Sequence, residues 1–394
     1  MRRLARTLVI LTAMIPLPLW AGGFDWTSLT DGFKWNLRNL TYAQFQEPSA
    51  FAIDIGASAD LPERLIENDI RADLTYTRGP FLVGLKPRAN VFWQSWDSGT
   101  RSDEEQSSGE VYFYEWVVRA AVGSQGFVEY GLQNLQWGPS FLLSPSNPFD
   151  ERNGKENPYV ELPESADYAR LIWVLSPSWT LSAIANVGEG RKRYLREFHD
   201  AYALKADYQF QDGYASLIAS YRDHGQSEYR DDDSSDLRVG YYAGYNVSDR
   251  ILGYVEGSAS DLDTQTLIGA SYTTDFGPTI AVEYFFNSGG DRFTDIRELS
   301  LQAPYDLDWR EALARKNYVL IQGYQQSLFG SLDYVLRWVT NIDDQSHSVN
   351  VQLEYGLSNA ISLFTVATVN SGEEDSELAA VRDYQVMAGV EFAF

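Results

Sequence analysis

The chain has 394 residues, no cysteine and a formal charge of −24, and 14% of its side chains are aromatic. Such an excess of carboxylates argues against a nucleic-acid partner. Without cysteine there is no disulfide framework, thiolate metal site or lipid-anchored N-terminal Cys, so the fold must hold by packing and hydrogen bonds alone.

Arg2, Arg3 and Arg6 precede an apolar stretch over residues 8–19, and the small residues Ala21, Gly22 and Gly23 follow it. That is a signal-peptide layout, read as residues 1–21 with cleavage after Ala21, leaving residues 22–394 as one domain. The stretch holds Pro16 and Pro18 and is far shorter than the ~20 residues a spanning helix needs. No later apolar run approaches that length, so this chain can enter a membrane only as a closed barrel.

Downstream the pattern has period two. Residues 202–210 alternate clearly, and Leu237, Val239, Tyr241, Ala243, Tyr245 and Val247 oppose Arg238, Gly240, Tyr242, Gly244 and Asn246. Residues 280–286 and 332–338 repeat the split, and Val349, Val351, Leu353 and Tyr355 oppose Ser348, Asn350, Gln352 and Glu354. At the C-terminus Tyr384, Val386, Ala388, Val390, Phe392 and Phe394 oppose Gln385, Met387, Gly389, Glu391 and Ala393. One face suits lipid and the other water. Around Tyr168 and after Arg315, polar and apolar residues mix on both faces.

Eight connections are tight and rich in turn formers, at 78–80, 124–126, 176–178, 211–213, 248–249, 276–278, 329–330 and 357–359. Longer ones interleave with them, roughly at 43–65, 97–108, 137–166, 188–200, 224–235, 260–263, 288–314, 342–347 and 371–380. The expectation is an all-β transmembrane antiparallel barrel of sixteen to eighteen strands, eighteen by this count of connections, with both termini at the periplasmic end. The aromatic share fits rings of such side chains at the two lipid–water interfaces.

Phased with apolar residues toward lipid, the strands send Arg71, Lys86, Arg88, Arg119, Arg170, Lys205, Arg222, Arg238 and Arg337 inward. Asp73, Glu115, Glu129, Asp207, Glu256, Glu283, Asp333, Glu354 and Glu391 share that face. Two accounts stand: ion pairs that stiffen a wet barrel, or a ladder of Arg71, Lys86, Arg88 and Arg119, with Arg170 beside it, that guides anions. Acidic runs fall in the proposed external loops: Asp103, Glu104 and Glu105; Asp231, Asp232 and Asp233; Glu373, Glu374, Asp375 and Glu377. They are read as solvated loop charge, the alternative being divalent cations shared with lipopolysaccharide phosphates. None has EF-hand spacing, so no metal and no cofactor is assigned.

The third long connection, from 137 to about 165, is expected to fold into the lumen and narrow it. Its first half, Trp137-Gly138-Pro139-Ser140-Phe141-Leu142-Leu143, is too apolar for a solvated loop, and Pro145, Asn147 and Pro148 before Phe149 read as rigid turn chemistry. Trp137, Phe141, Asn147 and Phe149 are the candidate constriction residues. Two alternatives stay open: the loop caps its neighbours outside the barrel, or the connection 288–314 fills the lumen instead.

The tail from Tyr384 through Phe392 to the terminal Phe394 resembles the signal that outer-membrane assembly machinery reads in porin-type barrels. Tyr130-Gly131-Leu132-Gln133, Gln136-Trp137-Gly138-Pro139 and Ser144-Pro145-Ser146-Asn147-Pro148 resemble a loop motif of proteobacterial porin-like barrels, relatives of polysaccharide-export channels among them. The resemblance implies a porin-like integral outer-membrane protein in contact with lipid and lipopolysaccharide, and nothing about its substrate. The expected function is a channel for passive diffusion or export of small polar or anionic solutes or saccharides, since a lumen of this strand number leaves an aqueous passage. The alternatives are a structural or capsule-associated barrel with a filled lumen, and a hydrolase. For the last, His199, His224 and His347 lie in or beside loops, and no Gly-x-Ser-x-Gly elbow is present.

Overall fold

The computed structural model describes residues 32–54, 61–149, 155, 157–160, 165–191, 200–223, 235–261, 263–290, 313, 315–374 and 376–394. The leader read at 1–21, His199, His224, Asp231 to Asp233, Asp375 and most of the 288–314 connection lie outside the described residues.

From Phe33 onward the described residues form eighteen strands, β1 (Phe33–Pro48), β2 (Arg64–Arg78), β3 (Phe81–Ser95), β4 (Glu105–Val122), β5 (Gly126–Gln133) and β6 (Ser165–Ser176) being the first. They continue as β7 (Trp179–Arg191), β8 (Ala201–Phe210), β9 (Gly213–Asp223), β10 (Ser235–Ser248), β11 (Ile251–Ala259) and β12 (Thr264–Thr273). The last are β13 (Thr279–Asn287), β14 (Asn317–Leu328), β15 (Leu332–Asn341), β16 (His347–Ser358), β17 (Ile361–Ser371) and β18 (Arg382–Ala393). Each pairs with its sequence neighbours, and β1 pairs with both β2 and β18, which closes one eighteen-stranded antiparallel barrel. All eight tight turns lie at one end. Closure leaves no sheet edge, the condition for strands in hydrocarbon.

Alternation sorts the side chains as expected. Val91, Val111, Leu204, Leu237, Val247 and Ile268 are among the most exposed apolar residues, whereas Arg88, Glu129, Arg238, Glu256 and Glu283 are buried. A row of outward rings follows the short-turn end: Trp179 stacks on Tyr208 at 4.6 Å, Tyr208 lies 5.8 Å from Phe210, and Phe210 lies 6.4 Å from Tyr245.

The first strand runs past its expected end. Residues 43–47 look loop-like because they are mostly polar, but their polar members alternate: Gln44 and Gln46 point inward and Phe45 outward. Pairing with β18 continues to Pro48↔Arg382, Tyr42 donates to Glu67 Oε2 at 2.7 Å, and a short helix, α1 (Ala50–Asp54), follows. In β3, Pro87 sits where the register with β4 shifts, so its missing N–H costs no regular ladder bond.

Candidate functional site

The connection between β5 and β6 does not stay at the long-loop end. Asn147 Nδ2 donates to Leu135 O at 2.7 Å, Asn147 Oδ1 accepts from Phe149 N at 3.1 Å, and Ser144 Oγ stands 2.7 Å from Trp137 O. The rigid turn expected at Asn147 therefore closes on itself. Its apolar residues are covered by the barrel wall. Phe149 meets Tyr168 of β6 edge to face at 5.0 Å and packs with Ile184, Ala201, Ala203 and Ile218 of β7, β8 and β9. Leu143 is buried among Tyr254, Leu267, Phe285 and Tyr318, and Phe141 lies 6.1 Å from the ring of Tyr324 on β14. In a ring of eighteen strands β14 stands diametrically opposite β5. The loop therefore crosses the lumen.

Two carboxylates of the wall hold it there. Glu256 of β11 accepts from the hydroxyls of Ser140, Ser144 and Ser146 at 2.6, 2.5 and 2.7 Å. Glu283 of β13 accepts from the backbone N–H of Phe141 and Leu142 at 2.6 and 2.8 Å and from Tyr254 OH at 2.7 Å. Both are fully buried, an arrangement that needs such donors because an unpaired buried charge is costly. Gly138 is required at this junction, since at φ +88° a Cβ would stand 2.3 Å from Glu256 Oε2. Gly240 of β10 likewise admits Ser146 O, which would lie 2.8 Å from its Cβ.

The return leg reaches a different arc of wall. Lys155 donates to Ser140 O, its ammonium lies 5.0 Å from the Phe141 ring, and its carbonyl accepts from Gln352 at 3.0 Å. Burial lowers the Lys155 pKa from the usual lysine range, opposed by the charges of Glu283 and Glu256. Tyr159 stacks on Phe364 at 3.8 Å, donates to Glu354 at 2.7 Å, and offers its carbonyl to Arg71 at 2.5 Å.

Every one of the five basic solute-path candidates meets a carboxylate. Arg71 pairs with Asp69 at 2.6 Å, Arg88 with Asp73 at 3.0 Å and Lys86 with Glu115. Arg119 and Arg170 share Glu129, the latter at 3.1 Å. Their exposure divides them: the Arg71 and Arg88 side chains are 4% and 1% exposed, whereas Lys86 and Arg119 are 42% and 43% exposed. Of the four-residue ladder, Lys86 and Arg119 thus face open lumen, and Arg71 lies beneath Tyr159. Of the tail residues, Tyr384 and Phe394 are exposed, and Phe394 donates its N–H to Leu37 O at 2.9 Å.

Glu256, Glu283, Glu354 and Asp207 appear in sequence only as inward carboxylates; nothing local marks the first two as partners of a loop more than a hundred residues earlier. Glu377, read as solvated loop charge, turns inward instead and accepts from Tyr318 and from Asn341, at 2.8 Å for the latter. His347 lies beside Trp338, with ring centroids 5.8 Å apart.

The fold is shared with solved outer-membrane porins. OccK5 (OpdH) of Pseudomonas aeruginosa is similar at a TM-score of 0.58 and 12% identity, covering 92% of this chain and 98% of that one. OccAB2 of Acinetobacter baumannii has a TM-score of 0.57 and 14% identity, and OpdL of P. aeruginosa 0.57 and 12%, each over 92% of this chain and 98% of its own. No family model matches the chain, and no curated protein matches it in sequence.

Proposed function

We propose that the protein is an outer-membrane channel through which small polar or anionic solutes, or saccharides, diffuse. The observation that carries this reading is a closed eighteen-stranded barrel, apolar outside and charged inside, crossed by a loop bonded to its own wall. Barrels of 16–18 strands leave an aqueous passage, and a loop across it at mid-strand sets the narrowest section. Trp137, Phe141, Asn147 and Phe149 are the constriction residues in this reading. The porin fold of the neighbours supports an outer-membrane location, as does the leader read at residues 1–21. Purified protein in a planar bilayer should conduct ohmically. A non-conducting, folded barrel would instead favour a structural role with a filled lumen, for which the burial of Arg71 and Arg88 under packed residues speaks.

Two further results are expected. Lys86→Gln with Arg119→Gln should shift the reversal potential in a salt gradient toward cation selectivity, because the open lumen loses two positive charges while Glu115 loses its cationic partner and Glu129 keeps only Arg170. The shift should shrink in concentrated salt, where the Debye length falls to ~3 Å at 1 M. Unchanged selectivity assigns these pairs a purely structural role. In the second, cysteine at Glu374, exposed at the long-loop end, should react with an impermeant thiol reagent on intact cells. Cysteine at Asp212, in a tight turn, should not. The reverse pattern inverts the orientation.

A further inference from the structure

Between the lumen-crossing loop and the wall of β7 to β10 lies a partly enclosed cavity of about 540 Å³. Small-molecule sites commonly fall in that range. Trp137 projects into it from the loop, and Lys205, Asp207, Gln209, Tyr214 and Tyr242 line it from the wall. The Trp137 ring is held on two sides, by Phe149 edge to face at 5.9 Å and by its Nε1 donating to Ser146 Oγ at 3.2 Å. Tyr214 and Tyr242 meet at 6.1 Å with their planes 64° apart. The Lys205 ammonium lies 5.6 Å from the Trp137 centroid and 5.3 Å from that of Tyr242, pairs with Asp207, and Asp207 also accepts from Tyr242 OH at 3.1 Å.

We infer that this cavity is a subsite for an uncharged pyranose saccharide in transit, a conclusion that rests on the channel reading and narrows it to a solute class. Three properties of the site select that class. Rigid aromatic rings offer apolar faces with negative quadrupoles, which suit the slightly positive C–H groups on the flat side of a sugar ring. Among the described residues lining the cavity, Lys205 and Asp207 carry the charge and neutralise each other. A carboxylate solute has to displace Asp207 from Lys205, whereas a sugar hydroxyl is both donor and acceptor and bridges the pair without breaking its charge balance. Gln209 adds an amide that donates and accepts at the cavity's exposed edge. Because Trp137 belongs to the crossing loop, a solute rounding that loop meets the site.

Maltose is the probe, and gluconate is its charged, hydroxylated counterpart. In a planar bilayer, millimolar maltose should reduce the ion current saturably, and gluconate should not. Trp137→Ala should raise the half-blocking maltose concentration at least about tenfold, with heat-modifiable migration verifying the barrel. Because Trp137 also packs on Phe149, Asp207→Asn serves as the second variant. It keeps the side-chain volume but leaves Lys205 without its counter-charge, and gluconate should then block where it did not before. Calorimetric titration with maltose in a polyoxyethylene detergent, chosen because glucoside and maltoside detergents carry the ligand's own head group, reads binding without conduction. Conduction with neither block nor heat, or gluconate block of the wild type equal to that of maltose, overturns the subsite. Heat of binding in a barrel that does not conduct overturns the channel reading and leaves the subsite standing.

Discussion

A chain ending before Arg382 should fail to assemble. β18 pairs with β17 from Ile361↔Phe392 to Val369↔Tyr384, and with β1 from Arg38↔Ala393 to Pro48↔Arg382. Its loss opens two edges at once, along most of the height of the wall. In hydrocarbon each unsatisfied N–H or C=O costs several kcal/mol. Even a handful of them exceeds the roughly 5–15 kcal/mol that separates a folded domain from its unfolded state. The check is heat-modifiable migration together with protease resistance; a compact, resistant truncated product would refute the closed ladder. Phe394→Ser provides a finer contrast. Phe394 is 68% exposed, and its N–H makes a backbone bond to Leu37 that serine retains. If the terminal ring is read by assembly machinery, the variant should accumulate poorly while the barrels that do form melt at the wild-type temperature. A lowered melting temperature would make the ring structural instead.

The sequence's period of two carried the architecture because a barrel wall imposes one rule on every strand: alternate residues meet different solvents. Glycine, proline and Asx residues marked the tight turns because those backbones need them. The places where alternation blurred prove to be informative. Tyr168 faces inward, yet it packs on Phe149 of the crossing loop, and inward Tyr318 and Leu320 are buried. An apolar residue on the inward face breaks the pattern wherever protein, rather than water, fills the lumen. The mixed stretches near 168 and 318 were thus traces of internal packing. Glu256 and Glu283 left no such trace. An inward carboxylate looks the same in sequence whether it faces water or serine hydroxyls, and the loop partners of these two lie 110 to 142 positions away. The same degeneracy left the basic ladder unresolved: Arg71 and Lys86 are alike in sequence, and only the position of Tyr159 separates the covered one from the open one.

Replacing Glu256 and Glu283 together by alanine should release the loop from the wall without opening the barrel. Seven hydrogen bonds converge on these two side chains, six of them from the loop. Bonds to charged acceptors contribute about 1.5–3 kcal/mol each in net terms. Much of that offsets the cost of burying two carboxylates, so the barrel gains little global stability from the latch. Its effect is positional. Once the acceptors are gone, the N–H groups of Phe141 and Leu142 and the hydroxyls of Ser140, Ser144 and Ser146 lose their bonds to the wall, and the loop gains by turning them toward lumen water. Open-channel noise should rise sharply, and mean conductance should move toward that of a chain lacking residues 140–160, itself expected to be several-fold above wild type. Glu256→Gln alone should have an intermediate effect, because its Oε1 still accepts from Ser144 and Ser146 while its Nε2, in place of Oε2, opposes the Ser140 hydroxyl that had been donating. The β11 and β13 ladders run through backbone atoms that none of these changes touch, so heat-modifiable migration should persist throughout. If folded variants, the deletion included, conduct as the wild type does, the loop does not limit the passage and its bonds to the wall serve packing alone.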